Sequence, residues 1–224
     1  MKAPYTIDIE TYPNPDMVDF VKEAVEEPAA PKNYKDPEKI RIYVENALAV
    51  AKDEAVSKMA LDPMTGKIGC FAVVQEGKEL ACVADKDEAV LLSALYSFLK
   101  MNDNGAPHIC TWNGLSFDLP FIYKRMAMVC DFKPNLPLAH FSKRYTTEPH
   151  CDLRMVWTGW DSRGRGKLGD VATALIGEGK HDFDVAMVGE MLETEGGTKT
   201  LKEYCVQDAK ITDRLYYKLK GVLF

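Results

Sequence analysis

Apolar and polar positions alternate first, and most cleanly, in Tyr5-Thr6-Ile7-Asp8-Ile9-Glu10, which predicts a strand over residues 4–10 ended by Pro13 and Pro15. Residues 13–36 are rich in Pro, Glu and Asp and predict an irregular stretch with a short helix near 16–25. Asp36-Pro37 marks a helix start, and Ile40, Val44, Ala47, Leu48 and Ala51 keep helical spacing to about residue 59. Ile68–Gln75 and Glu79–Ala84 flank Glu76-Gly77-Lys78 and predict a β-hairpin. An amphipathic helix over 87–101 has Asp85 or Asp87 near its N-cap. A short apolar strand over 107–112 and a helix over 115–129, with Pro120 in its first turns, come next. Residues 131–150 hold three prolines and read as a loop, and 150–153 as a short last strand. Beyond the Gly-rich basic loop Arg163–Lys167, helices are expected over 168–176, 185–192 and 198–219. This order predicts a mixed α/β layer fold in a single domain, 1–224, with a helical insertion at about 13–60.

Asp8 and Glu10 stand two apart on the first strand, so their side chains share a face, roughly 7 Å apart along it. Two carboxylates on one face of an apolar strand repel, and a metal ion is the usual compensation. A second acid, Asp118, follows Thr111-Trp112-Asn113-Gly114, where a strand runs into a turn and a helix begins. Taken alone it is also the acid that a helix dipole favours in a first turn. A third segment, Tyr204-Cys205-Val206-Gln207-Asp208, puts Tyr204 and Asp208 on one helical face beside the apolar Leu201, Val206, Ile211 and Leu215. Alone it reads equally as an exposed acid with a tyrosine partner. Four acids together suit hard divalent ions such as Mg²⁺ or Mn²⁺ rather than zinc. Two such ions, about 3.5–4 Å apart, are suited to phosphoryl displacement.

Composition narrows this picture. With 224 residues, 46% of them hydrophobic, the chain can build one α/β domain with a sizeable core, or at most two small ones. A net charge of -6 excludes a broadly basic surface, so nucleic acid would be met by local basic contacts. The six cysteines form no CxxC pair and read as reduced, mostly buried thiols of a cytosolic protein. No apolar run reaches signal-peptide or membrane-spanning length, so a soluble cytoplasmic protein with no membrane partner is expected. Thr65-Gly66-Lys67 is no P-loop, because Leu61 stands where the first glycine is needed.

In order, Asp8-Ile9-Glu10, Asn113-Gly114-Leu115-Ser116-Phe117-Asp118 and Tyr204-x-x-x-Asp208 resemble the three motifs of the DEDD superfamily of 3′–5′ exonucleases. Tyrosine rather than histidine in the third motif is similar to the DEDDy branch, and the whole resembles the stand-alone relatives of the proofreading exonuclease domain of family B DNA polymerases. The departure is the long acidic and helical stretch at 13–60. The resemblance implies a ribonuclease H-like fold, with a mixed five-stranded sheet flanked by helices. It implies two ions, Asp8 bridging both, Glu10 and Asp208 on the first and Asp118 on the second. It also implies hydrolysis of single-stranded DNA from the 3′ end to nucleoside 5′-monophosphates. Tyr204 would orient the attacking water, since an ordinary phenol pKa near ~10 suits positioning better than proton abstraction. Glu10 would also reach the terminal 3′-hydroxyl.

On the substrate side the resemblance points to Thr11, Trp112, Asn113, Leu115 and Phe117, with Arg163 and Arg165 on phosphates. Core packing is the other reading of Trp112, Leu115 and Phe117, a turn that of Asn113, and a solvated loop that of the arginines. Asp152 is expected to cap a helix or support the fold, and Asp170, Asp182 and Asp184 to be structural. A replication or repair partner is a further expectation. The alternative functions are a 3′–5′ exoribonuclease and a catalytically silent nucleic-acid-binding module.

Overall fold

The computed structural model describes residues 3–101, 107–179 and 183–224; Asp182 lies outside them. The chain divides into two compact units, Met1–Thr11 with Ile68–Phe224, and Tyr12–Lys67.

The larger unit is built on a five-stranded sheet in the order β3-β2-β1-β4-β5. Its strands are β1 (Tyr5–Pro13), β2 (Gly66–Gln75), β3 (Lys78–Ala84), β4 (Ile109–Thr111) and β5 (His150–Asp152). β2 and β3 form an antiparallel hairpin closed by two residues, Glu76 and Gly77. Their φ values of 52° and 76° match the twist of the strands they join. β4 runs parallel to β1, pairing Tyr5 with Ile109 and Thr6 with Cys110. β5 runs parallel to β4, pairing Ile109 with His150 and Thr111 with Asp152. The expected mixed five-stranded sheet flanked by helices is therefore the observed one.

Neighbouring residues on β4 face opposite layers, as strand geometry requires. Ile109 joins a core with Ile7, Ile9, Phe71, Leu91, Phe121 and Ile122. This core lies under α3 (Glu88–Met101) and α4 (Asp118–Val129). Cys110 joins a second core with Cys151, Val171, Ile211 and Leu215, under α7 (Leu168–Ile176) and α9 (Glu195–Leu219). Asp213 of α9 fastens two other elements. Its carboxylate accepts from the Thr6 hydroxyl (3.0 Å) on β1 and from the Gly77 amide (2.8 Å) in the hairpin.

In the smaller unit, α1 (Val18–Glu23) precedes α2 (Pro37–Met59). The start of α2 is local chemistry: Asp36 accepts from the Glu38 amide, and Pro37 occupies a first-turn position that lacks a hydrogen-bond partner in any helix.

Several boundaries differ from the sequence reading, among them three with a clear local cause. Residues 131–150 contain a short helix, α5 (Leu138–Phe141), held by the buried Phe141. The second-motif helix begins at Asp118 rather than Leu115, because the amides of Ser116 and Phe117 turn back to the Asn113 carbonyl. The last helix begins at Glu195 rather than Thr198. Thr194 caps it by accepting from the Gly197 amide (3.0 Å), and a side chain at Gly197 would collide with the Met191 carbonyl at 2.4 Å.

Candidate active site

The carboxyl ends of parallel strands β1, β4 and β5 lie side by side, the place where α/β sheets gather ligand sites. Asp8 and Glu10 leave β1 on the same side. Together with Cys205 of α9 they present ligand atoms within 4.8 Å of one another. Glu10 is buried and Asp8 half-buried. The Cys205 thiol lies 3.6 Å from the Asp8 carbonyl and 3.8 Å from its Oδ2. This contact seats the Tyr204–Asp208 turn of α9 beside the strand that carries the acid pair. Burial first, and then the negative charge of Asp8 and Glu10, push the Cys205 thiol well above its ordinary pKa. Without an ion beside it, it stays a neutral SH.

Asp118 and Asp208 stand outside that group of three among the described residues. Both are nearly dry, at 5% and 1% exposure. Asp118 is the first residue of α4, where the dipole favours its charge. Tyr204 and Asp208 lie one turn apart on α9, and the Tyr204 ring is stacked on Phe183 with centroids 3.8 Å apart. The carboxylates of Asp8 and Glu10 are oxygen donors of the kind that hard divalent cations take.

The loop between β4 and Asp118 is held by two clamps. Asp152, at the end of β5, accepts from the Asn113 amide (3.0 Å) with one oxygen and from the Leu115 amide (2.9 Å) with the other. The same carboxylate caps α6 (Leu153–Trp157) by accepting from Arg154 and Met155, so its structural role is both a helix cap and a loop anchor. The second clamp runs through His150. Its Nδ1 faces the Phe141 carbonyl at 3.2 Å, which can only accept. The proton is therefore on Nδ1, and Nε2 accepts from the Thr111 hydroxyl at 2.8 Å. Thr111 Oγ1 in turn accepts from the Gly114 amide at 3.0 Å. A Cβ on Gly114 would stand 2.2 Å from that oxygen, so only glycine closes this turn. Burial lowers the His150 pKa to about 4, which keeps the ring neutral.

The remaining candidates sit around this frame. Thr11 is buried on β1. Asn113 adopts φ 72°, a conformation that asparagine tolerates, and its side-chain oxygen accepts from Arg154 at 3.2 Å. Trp112 packs against the second core, and Phe117 against the first, with its ring 5.5 Å from Phe121. Leu115 is half-buried. Arg163 and Arg165 are exposed in the loop after α6. An open cleft of about 610 Å³ runs beside the second motif, lined by Trp112, Asn113, Arg154, Gly166, Lys167 and Asp170.

Sequence reasoning missed the approach of Cys205 to Asp8, the stacking of Phe183 on Tyr204, and Arg154. The only local trace was that Cys205 adjoins Tyr204 in a buried helical stretch. Arg154 and Phe183 gave no signal at all, because their partners are far away in the chain.

A family model described as a predicted 3′-5′ exonuclease related to the exonuclease domain of PolB matches residues 68–222. The matched span includes Asn113–Asp118 and Tyr204–Asp208, while Asp8 and Glu10 precede it. Among solved structures, the chain is similar to the family B DNA polymerase from the hyperthermophilic archaeon Pyrobaculum calidifontis. The TM-score is 0.55 at 16% identity, over 97% of this chain and 24% of the polymerase. The chain thus spans about a quarter of that protein's length, and the likeness is one of fold. No curated protein matches the sequence.

Proposed function

Because the chain belongs to the family of predicted 3′-5′ exonucleases related to the exonuclease domain of PolB, we propose that it shortens single-stranded DNA from the 3′ end using two Mg²⁺ or Mn²⁺ ions. The observation that carries this reading is the seating of the Tyr204–Asp208 turn against β1, beside the paired Asp8 and Glu10. In this reading all 224 residues form one exonuclease domain, with a helical insertion at about 13–60. Asp8, Glu10 and Asp208 would hold one ion, and Asp8 and Asp118 the other. Ions bound there supply positive charge to the reacting phosphate and a water more acidic than bulk.

The side chains do the rest. Tyr204, its ring fixed by Phe183, orients the attacking water through its hydroxyl. Glu10 accepts a hydrogen bond from the terminal 3′-hydroxyl and so selects that end. Thr11 and Asn113 contact the terminal nucleotide, Trp112, Leu115 and Phe117 bear on its base and the next, and Arg163 and Arg165 follow the phosphates. Water oxygen bonds to phosphorus, the bond to the 3′ oxygen breaks, and the products are a nucleoside 5′-monophosphate and a new 3′-hydroxyl. A cytoplasmic location and a replication or repair partner are consistent with this activity. The described residues contain no helix long and apolar enough to cross a membrane.

The test is mononucleotide release from a 5′-labelled single-stranded oligonucleotide with Mg²⁺ or Mn²⁺. Loss of one ligand removes several kcal/mol of transition-state stabilisation, so Asp208→Ala should slow release roughly a thousandfold. Equal rates for wild type and Asp208→Ala sink the reading. Faster cleavage of a matched RNA oligonucleotide would transfer the same chemistry to RNA.

A further inference from the structure

Two surface loops meet at a pair of aromatic rings. One follows α5 and carries Lys143, Arg144 and Tyr145; the other follows α6 and runs from Trp160 to Lys167. The rings of Tyr145 and Trp160 lie 5.3 Å apart, tilted by 45°. Both residues have left-handed backbones, φ 61° and 68°, which bulky side chains rarely adopt and which cost on the order of 1 kcal/mol or more each. Among the described residues neither ring belongs to the two cores above; Tyr145 is 76% exposed and Trp160 half-buried. At Tyr145 the strained backbone turns an aromatic ring toward water, which does nothing for packing.

The charge around the pair runs against that of the whole chain. Residues 143–145 and 160–167 contain Lys143, Arg144, Arg163, Arg165 and Lys167, all exposed, against the single acid Asp161, while the chain as a whole carries -6. The second loop is also firmly folded. Arg154 donates to the carbonyls of Ser162 (3.1 Å) and Gly164 (3.2 Å), and a Cβ on Gly166 would meet the Trp157 ring at 2.9 Å. The same guanidinium donates to Asn113, so one residue ties the aromatic and basic loop to the turn that delivers Asp118.

We infer that Tyr145 and Trp160 form a stacking platform for a base of single-stranded DNA whose phosphates lie along Lys143, Arg144, Arg163, Arg165 and Lys167. Resting on the exonuclease reading above, the platform grips the strand upstream of the 3′ terminus being removed. Aromatic faces accept any base, stacking is worth about 1–3 kcal/mol per base, and each Lys or Arg on a phosphate releases counterions. The site therefore holds DNA without regard to its sequence.

The experiment is fluorescence anisotropy of labelled oligo(dT) with EDTA present, so that binding is read without cleavage. Trp160→Ala and Tyr145→Ala should each weaken binding roughly 5- to 100-fold, in line with the loss of one stacked base. Trp160→Phe should retain the affinity but lose the part of the tryptophan quenching on binding that Trp160 contributes. Abasic oligonucleotides should bind wild type more weakly and Trp160→Ala no more weakly still. Arg163→Gln with Arg165→Gln should flatten the salt dependence, which Trp160→Ala leaves steep.

Normal binding by both alanine variants overturns the inference. So does equal sensitivity of wild type and Trp160→Ala to abasic sites, or a Trp160→Phe protein as weak as Trp160→Ala. Tighter binding of matched RNA than of DNA overturns the choice of polymer. Should Trp160→Ala fail to fold, the exposed Tyr145→Ala gives the same readout. Weakened binding by the alanine variants of a protein whose wild type cleaves nothing would keep the platform and discard the exonuclease reading.

Discussion

Arg41 on α2 and Arg125 on α4 each meet glutamate across a helical surface, in opposite surroundings. Arg41 pairs with Glu38 at 2.5 Å and Glu45 at 2.8 Å, all three side chains more than half exposed. Arg125 pairs with Glu88 at 2.5 Å, where the two side chains are only 6% and 3% exposed, and its Nε also donates to both carboxylate oxygens. Glu88 further accepts the Ile68 amide at 2.8 Å, so one buried carboxylate joins α3, α4 and β2.

The long helices repeat the contrast. Of 23 residues in α2 only Met59 is buried, whereas the 25 residues of α9 bury eleven, among them Cys205, Asp208 and Asp213. Water screens the charges of the smaller unit and makes them individually cheap to lose. In the larger unit charges such as those of Arg125 and Glu88 have been taken out of water, and each must be answered by a specific partner. Only there can carboxylates exert a strong local field on an ion or a phosphate.

The largest effect that would break this contrast is at Arg125. Arg125→Met leaves Glu88 charged and buried, and urea denaturation should show a loss of about 3–5 kcal/mol. Adding Glu88→Gln, which keeps an acceptor for Ile68, should recover most of it. A loss under ~1 kcal/mol for the single variant would mean that the pair is effectively solvated.

His150 sharpens the comparison by pH. Burial holds its folded pKa near 4 against an ordinary 6.5. Above pH 6.5 both folded and unfolded states are neutral and its contribution is whole. As pH falls from 6.5 through 4 the unfolded chain takes up a proton that the folded chain refuses, and stability drops, by roughly 3 kcal/mol at the limit. His150→Gln should flatten that part of the stability–pH curve. An unchanged slope would show that other groups cause it.

The smallest effect belongs to α2. Arg41→Ala should leave stability in urea denaturation nearly unchanged, and any loss should vanish in high salt. A larger, salt-insensitive loss would erase the distinction between the two units.

What the amino-acid sequence determined by itself is what neighbours in the chain decide. The β-hairpin follows from two apolar runs meeting at Glu76-Gly77, and the start of α2 from Asp36-Pro37. Each needs only residues within a turn or two, because strand alternation, capping and positive φ are short-range effects. The shared side of Asp8 and Glu10 was legible for the same reason.

Tertiary structure decided what faces that pair. Cys205 reaches Asp8 across 197 positions, Arg154 joins Asn113 to the basic loop, and Asp152 holds the turn before Asp118 from 37 and 39 positions away. The same holds for Tyr145 on Trp160 and Phe183 on Tyr204. Such contacts leave no periodicity to read. They arise because a closed core allows only a few ways to place each loop, and burial then makes any unanswered polar group too costly to keep.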